Sequence, residues 1–310
     1  MSQAIYYKYR QFSDLTLKSL CNDQVFFSSL DKFNDPFDCN PEIILDIEVK
    51  ELEELLFELI KTKSEIAILN KLQSAGVTKE KAQNFATKQS LKNAANAISY
   101  SEYMASDPDN INPEDAHRHH IFYRIKDEIG KNYQKGVFCL STTPLSMLLW
   151  SHYGGEHTGL CIGYSTDRNP KPDIKKVNYT NDRRINTSLI YDAIVQKSEE
   201  EKVTLDELIL LRKSKEWKYE DEYRLIDRSG LMDSPFLLTD VTFGMRCDIS
   251  IMHVIMQALA GRENPVQYYS ASPAPGKCNL RRKKITPDDL REYVPRTARS
   301  ANEEFNLLVN

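Results

Sequence analysis

Glu220 and Glu222 stand two residues apart in WKYEDEYRLI, residues 217–226, and Arg224 follows two further on. On a strand that spacing puts all three side chains on one face. Two carboxylates so placed repel each other unless a cation or a ligand hydroxyl separates their roles, and such separation is what charge-stabilising chemistry needs. Arg224 can also neutralise both, which would make the segment an ordinary charged strand surface.

Further clusters of chemically capable residues lie elsewhere. In AIYYKYR (4–10), alternation sends Tyr7 and Tyr9 to one face and Lys8 and Arg10 to the other, and an arginine closing a first strand can clamp a phosphate bidentately or simply be solvated. GVFCLSTT ends in Ser141, Thr142 and Thr143, hydroxyls that can orient a ligand or cap the helix starting near Leu145. LLWSHYGGEHTGL carries Trp150, His152, Tyr153 and His157 around Gly154-Gly155, a set suited to ligand contact or packing and lacking zinc spacing. FNDPFD reads as a turn whose Asp35 and Asp38 serve its own backbone. His117, His119 and His120 read as a solvated helix face, and Arg281-Arg282-Lys283-Lys284 as a last strand or an exposed basic segment.

The elements that must position these residues are legible in outline. Tyrosine-rich and apolar runs at 4–10, 24–30 and 136–141 predict strands, as do EYRLI, DVTFGM and PVQYYS. From 46 to 134, Glu, Lys, Ala and Leu recur at helical spacing, which predicts a packed helical insertion or lid. Helices are also expected at 186–215 and 248–260. Without a regular βαβ alternation the expectation is one α+β domain over 1–310, with a mixed or mainly antiparallel sheet core and the helical block inserted in it.

Composition narrows the function. A net charge of −4 and a pI near 5.9 give no global field for nucleic acid, although a local basic groove remains compatible. The six cysteines never form a metal-ligand spacing and read as reduced, packed thiols; no metal site is expected. With no signal-like N-terminus and no apolar run of membrane length, the expected location is cytoplasmic and off the membrane.

Taken as a series, YKYR, FSSLDKFNDPFD, GVFCLSTT, LLWSHYGGEHTGLCIGY and WKYEDEYRL resemble the bacterial family catalogued as domain of unknown function 2971, whose name implies no activity. The order Arg10, then Ser141 and Thr142, then Glu220 and Glu222 is also similar to ADP-ribosyltransferases of the arginine–serine–glutamate type. That resemblance implies NAD as substrate. Arg10 would hold a phosphate and Ser141 would orient the site. Glu222 would stabilise the oxocarbenium-like ribose and Glu220 would position a macromolecular acceptor, protein or nucleic acid. Trp150, Tyr153 or Tyr223 would stack the nicotinamide, and the setting implied is a toxin or phage-defence effector. Thr143 departs from the last serine of the motif, and the span from Ser141 to Glu220 is long for that class. Two other readings stay open: a metal-dependent hydrolase or nuclease using Asp35, Asp38, His152, Glu220 and Glu222, and a non-catalytic binding or sensing module using the E-x-E and residues 281–284.

Overall fold

The computed structural model describes residues 4–107, 112–132, 135–300 and 309. In chain order the elements are β1 (Ile5–Arg10), α1 (Asp14–Cys21), β2 (Gln24–Ser29), β3 (Glu42–Ile44), α2 (Val49–Ser74), α3 (Lys79–Ala105), α4 (Pro113–Asn132), β4 (Lys135–Ser141), α5 (Met147–His152) and β5 (Leu160–Ser165). They continue with β6 (Lys175–Lys176), β7 (Asn178–Tyr179), β8 (Arg184–Asn186), α6 (Thr187–Ile194), α7 (Glu199–Leu210), β9 (Arg212–Lys213), β10 (Glu222–Arg228), β11 (Gly230–Asp233), β12 (Leu237–Phe243), α8 (Ile249–Ala258), β13 (Gln267–Pro273) and β14 (Leu280–Ile285). The class is α+β, as expected. No described helix is long and apolar enough to cross a membrane.

The chain divides into two compact units. The first comprises Met1–Phe27, Val137–Lys176 and Tyr219–Asn310; the second comprises Ser28–Gly136 and Val177–Lys218. The helical block predicted over 46–134 therefore belongs to a larger unit, one that α6 and α7 join.

The first unit is built on a sheet ordered β11-β2-β4-β1-β5-β12-β13-β14, with β10 pairing β4 and β6. Pairing is antiparallel between β1 and β5 and between β5 and β12, and parallel between β12 and β13, whose crossover is α8. One face carries the main apolar core: Phe138 and Leu140 of β4, Ile162 and Tyr164 of β5, and Val241 and Phe243 of β12, with Leu20 of α1 and Ile255 and Met256 of α8 packed on them. The opposite face carries Tyr9, Cys161, Ala271 and Leu280 under Leu149 and Trp150 of α5. Strand alternation alone produces this division, because each strand shows one set of side chains to each layer. α1 starts where the Ser13 hydroxyl accepts from the Thr16 amide at 3.2 Å.

The second unit holds α2, α3 and α4 together with α6, α7 and the short parallel pairs β3–β8 and β7–β9. Small side chains at Ala82, Ala86, Ser90, Ala94, Ala97, Ser101 and Ala105 form a buried stripe down α3. That spacing of three and four residues keeps one narrow face inward and lets neighbouring helices approach closely. Leu52, Leu55, Leu56 and Ile60 fill the matching face of α2, whose first turn is closed by a Glu48–Glu51 capping box. The FNDPFD segment is a turn of the expected kind, with the Asp35 carboxylate accepting from the Phe37 amide at 2.9 Å.

Candidate functional site

The E-x-E pair is positioned by a turn and a strand, not by one strand. A 3₁₀ turn ends at Glu220, Asp221 adopts φ 41°, and β10 begins only at Glu222. The expectation that pleat alternation places both carboxylates on one face is thus corrected: a left-handed residue between them sets the direction of Glu220. Both are nonetheless buried, at 4% and 3% exposure.

Each carboxylate has a defined partner. Arg224, fully buried, donates Nε to Glu222 Oε1 at 2.7 Å and Nη2 to Oε2 at 3.2 Å, the fork geometry that an i, i+2 pair on one strand face allows. The Tyr153 hydroxyl donates to Glu220 Oε1 at 2.9 Å. Asp221 between them accepts from the Thr142 hydroxyl at 2.6 Å and pairs with Lys176 at 2.9 Å, and these two partners hold its carboxyl below the usual range. Behind this pair, burial pushes the Cys139 thiol up to about 12, and the negative charge of Glu222 adds to the effect.

For Ser141 and Thr142 the sequence leaves two expectations, ligand-orienting hydroxyls or a helix cap. The cap of α5 is Ser146, whose hydroxyl accepts from the Leu149 amide at 3.3 Å. Ser141 instead donates to the Glu220 carbonyl at 2.7 Å, so the two hydroxyls fasten the end of β4 to the E-x-E turn. Tyr7 lies opposite Ser141 in the β1–β4 register. Tyr9, on the same face, donates its hydroxyl to the Thr143 carbonyl at 2.7 Å and accepts from the Ser146 amide at 3.2 Å, tying the β4–α5 connection down.

The remaining expected residues divide. Tyr153 joins the site and His152 stands exposed beside it, its ring 6.4 Å from that of Tyr219. Trp150 does not present a stacking surface. Its ring is fully buried, edge-on to Tyr9 at 5.1 Å, and its indole N–H donates to the Pro144 carbonyl. Gly154 exists to make room for that ring, since a Cβ there would fall 2.5 Å from Trp150 Cε3. Tyr223 also leaves the site: alternation turns it to the other face, where it packs 4.9 Å from Tyr6.

Arg10 is not brought together with Glu222. With Lys8 it faces the main core, among Thr16, Gln24, Phe138 and Tyr164. Burial lowers the pKa of both cations, that of Lys8 to about 8 although part of its side chain reaches the surface. A cation on the same sheet face as Tyr7 is Arg282 of β14. It pairs with Asp240 of β12, lies 3.8 Å from the Tyr269 ring centroid, and approaches the Tyr7 hydroxyl at 3.4 Å. A contact from β14 back to β1 requires the sheet to curl around this face. Asp240 occupies the space above Gly163, where an added Cβ would meet Oδ2 at 2.2 Å. The signal for Arg282 was the alternation within RRKK, which sends Arg282 and Lys284 to one face and Arg281 and Lys283 to the other.

Among the described residues, the group able to hold a metal ion is Glu53, Glu102 and His117 in the second unit, and it includes none of the residues weighed for a hydrolase. All six cysteines are free, with Cys21 and Cys278 exposed rather than packed.

Residues 149–225 match the family described as "Protein of unknown function (DUF2971)", so the family resemblance read from the motif series holds over the segment from α5 into β10. No curated protein and no solved structure matches the chain.

Proposed function

We propose that the first unit is a nucleotide site of the ADP-ribosyltransferase kind, acting on NAD at its nicotinamide–ribose bond. One observation carries the reading. β1, β4 and β10, far apart in sequence, are spatial neighbours with β4 in the middle, and the Ser141 hydroxyl on β4 bonds the Glu220 carbonyl of the E-x-E turn.

In the reaction the C1′–N bond breaks and its electron pair leaves with nicotinamide. The ribose then carries oxocarbenium charge until an acceptor nucleophile, or water, forms the new bond at C1′ and gives up its proton. Glu222 supplies the negative charge opposite that carbon, and Arg224 holds its carboxylate in place. Glu220, oriented by Tyr153, receives the acceptor and its proton. Arg282 takes the phosphate-binding part expected of Arg10, because it shares the face of Tyr7 and Ser141. A cytoplasmic effector modifying a macromolecular acceptor, in phage defence or as a toxin, is the setting that the resemblance implies.

A second reading is favoured by the burial of both carboxylates and the two-point hold of Arg224 on Glu222: a module that binds a nucleotide without cleaving it.

NAD binding and nicotinamide release by purified protein separate the two. Wild type is compared with Glu220→Gln and Tyr153→Phe, each checked for native melting. Release by wild type that is lost in Glu220→Gln supports the transferase. Binding without release supports the sensing module. If wild type neither binds nor cleaves NAD, both readings fall.

A further inference from the structure

Phe37 of the FNDPFD motif, which the NAD reading does not use, and the residues just after that motif form one wall of a cavity of about 200 Å³ lying wholly within the second unit. Phe37 and Asn40 come from this stretch, Arg183 from the segment before β8, and Arg212, Lys213 and Ser214 from β9 and the residue after it.

The charges in the wall are unevenly satisfied. Lys213 is buried 3.5 Å from Asp38, and Asp182 is held by Arg184 at 2.9 Å. Arg183 shares Glu42, at 3.2 Å, with Lys126, which sits closer at 2.7 Å. Arg212 differs from all of these. Its Nη1 donates to the Arg184 carbonyl at 2.9 Å and to the Asp182 carbonyl at 3.5 Å, and it has no ion-pair partner among the described residues. Two neutral acceptors thus fix the guanidinium in place, while its Nε and Nη2 donors make no hydrogen bond among the described residues. Arg212 also acts electrostatically on Asp182, but that carboxylate is already bonded by Arg184, so a half-buried arginine that forms no ion pair of its own at a cavity wall favours an anionic occupant.

The other half of the chemistry is Phe37. It is 60% exposed, at the cavity, with the Arg183 guanidinium 5.2 Å from its ring centroid. An exposed aromatic ring beside a planar cation is a platform for a flat group. The volume lies below the usual range of roughly 300–1,000 Å³ for drug-sized ligands, which excludes a dinucleotide and suits a mononucleotide partly open to water.

We propose that this cavity binds a small phosphate monoester bearing a planar ring, its phosphate on the Nε/Nη2 edge of Arg212 and its ring over Phe37 and Arg183. The site goes beyond the NAD reading and does not depend on it.

The test is calorimetric titration of the full chain with AMP, adenosine and inorganic phosphate. Variants Arg212→Gln and Phe37→Ser are run beside Glu220→Gln, a change in the first unit and outside the cavity wall. The expected order is AMP tightest, with adenosine and phosphate each weaker by about tenfold or more. Arg212→Gln and Phe37→Ser should each weaken AMP by about tenfold, and Glu220→Gln should leave it unchanged. Phe37 is exposed, so its replacement removes no core packing and its effect is read on folded protein. Absence of AMP binding by natively melting wild type overturns the proposal. So does AMP binding that neither cavity variant moves, or that Glu220→Gln abolishes. Phosphate binding as tightly as AMP would overturn the part assigned to Phe37.

Discussion

Replacing either member of the Glu222–Arg224 pair should cost the first unit much of its stability. Arg224 is 0% exposed and Glu222 3%, so removing one partner leaves the other charged and without water. Breaking a buried pair in this way costs about 3–5 kcal/mol, against a total domain stability of about 5–15 kcal/mol. For a unit of this size each kcal/mol moves Tm by about 2–4 °C. Glu222→Gln and Arg224→Met should therefore each lower Tm by roughly 6–20 °C. The double variant buries no unmatched charge from this pair. Its loss should fall short of the sum of the singles by about 2 kcal/mol or more, the coupling a double-mutant cycle isolates. Urea unfolding followed by tyrosine and tryptophan fluorescence gives all three values. Singles within about 1 kcal/mol of wild type would refute the reasoning, because the pair would then be hydrated and worth no more than a surface ion pair. The outcome also decides how activity data are read. If Glu222→Gln melts early, any loss of NAD turnover in it says nothing about the proposed chemistry, and Glu220→Gln becomes the informative variant.

Other consequences follow from the same face and its neighbours. The Lys8 pKa of about 8 lies below its ordinary 10.5, so the unfolded chain binds a proton that the folded one releases between those pH values, and stability rises with pH across that window. Lys8→Met should raise Tm at pH 7 and lose its advantage by about pH 10.5; a gap constant with pH would show that burial of the charge is not the cause. Adding a methyl at Gly163 forces the Asp240 carboxylate away from its place and disturbs the Arg282 pair, so Gly163→Ala should destabilise by about 1–3 kcal/mol in chemical denaturation. An unchanged midpoint would mean that the carboxylate relocates at no cost. With Ellman's reagent at pH 8, Cys21 and Cys278 should react at once. Cys139 and Cys247, whose thiols burial pushes up to about 12, should lag, and Cys39 and Cys161 should wait for unfolding. More than two fast equivalents would contradict the burial pattern.

What the sequence disclosed was local. The strand at Ile5–Arg10 and the helical spacing within 46–134 are written in neighbouring residues, because periodicity acts within a turn or two. Asp221 is the counterexample. Nothing in YEDEY marks a left-handed residue, and the conformation follows from partners distant in the chain: the Thr142 hydroxyl and Lys176 on Asp221, and the Ser141 hydroxyl on the Glu220 carbonyl. The two-unit division is equally non-local, since residues 177–218 must leave the sheet and pack with a helical block that ends some forty positions earlier.

Arg10 shows how a local rule and a borrowed role can collide. Alternation in YYKYR already separated Arg10 from Tyr7 and Tyr9, whereas the similarity to a nucleotide-binding class assigned it to the same cleft as Glu222. The register settles this in favour of alternation. Tyr7 faces Ser141 and Gly163, Tyr9 faces Cys161, and Arg10 falls on the side of Phe138 and Tyr164. A one-residue slip of β1 would exchange the faces, but it would also put Tyr9 into the main core and Lys8 against Trp150, stranding a charge in the apolar layer under α5. The tyrosines therefore fix the arginine outside the site. On the proposed NAD reading, a phosphate-binding cation for that face comes from a strand other than β1, and Arg282, paired across the sheet with Asp240 and 3.4 Å from the Tyr7 hydroxyl, is placed to supply it.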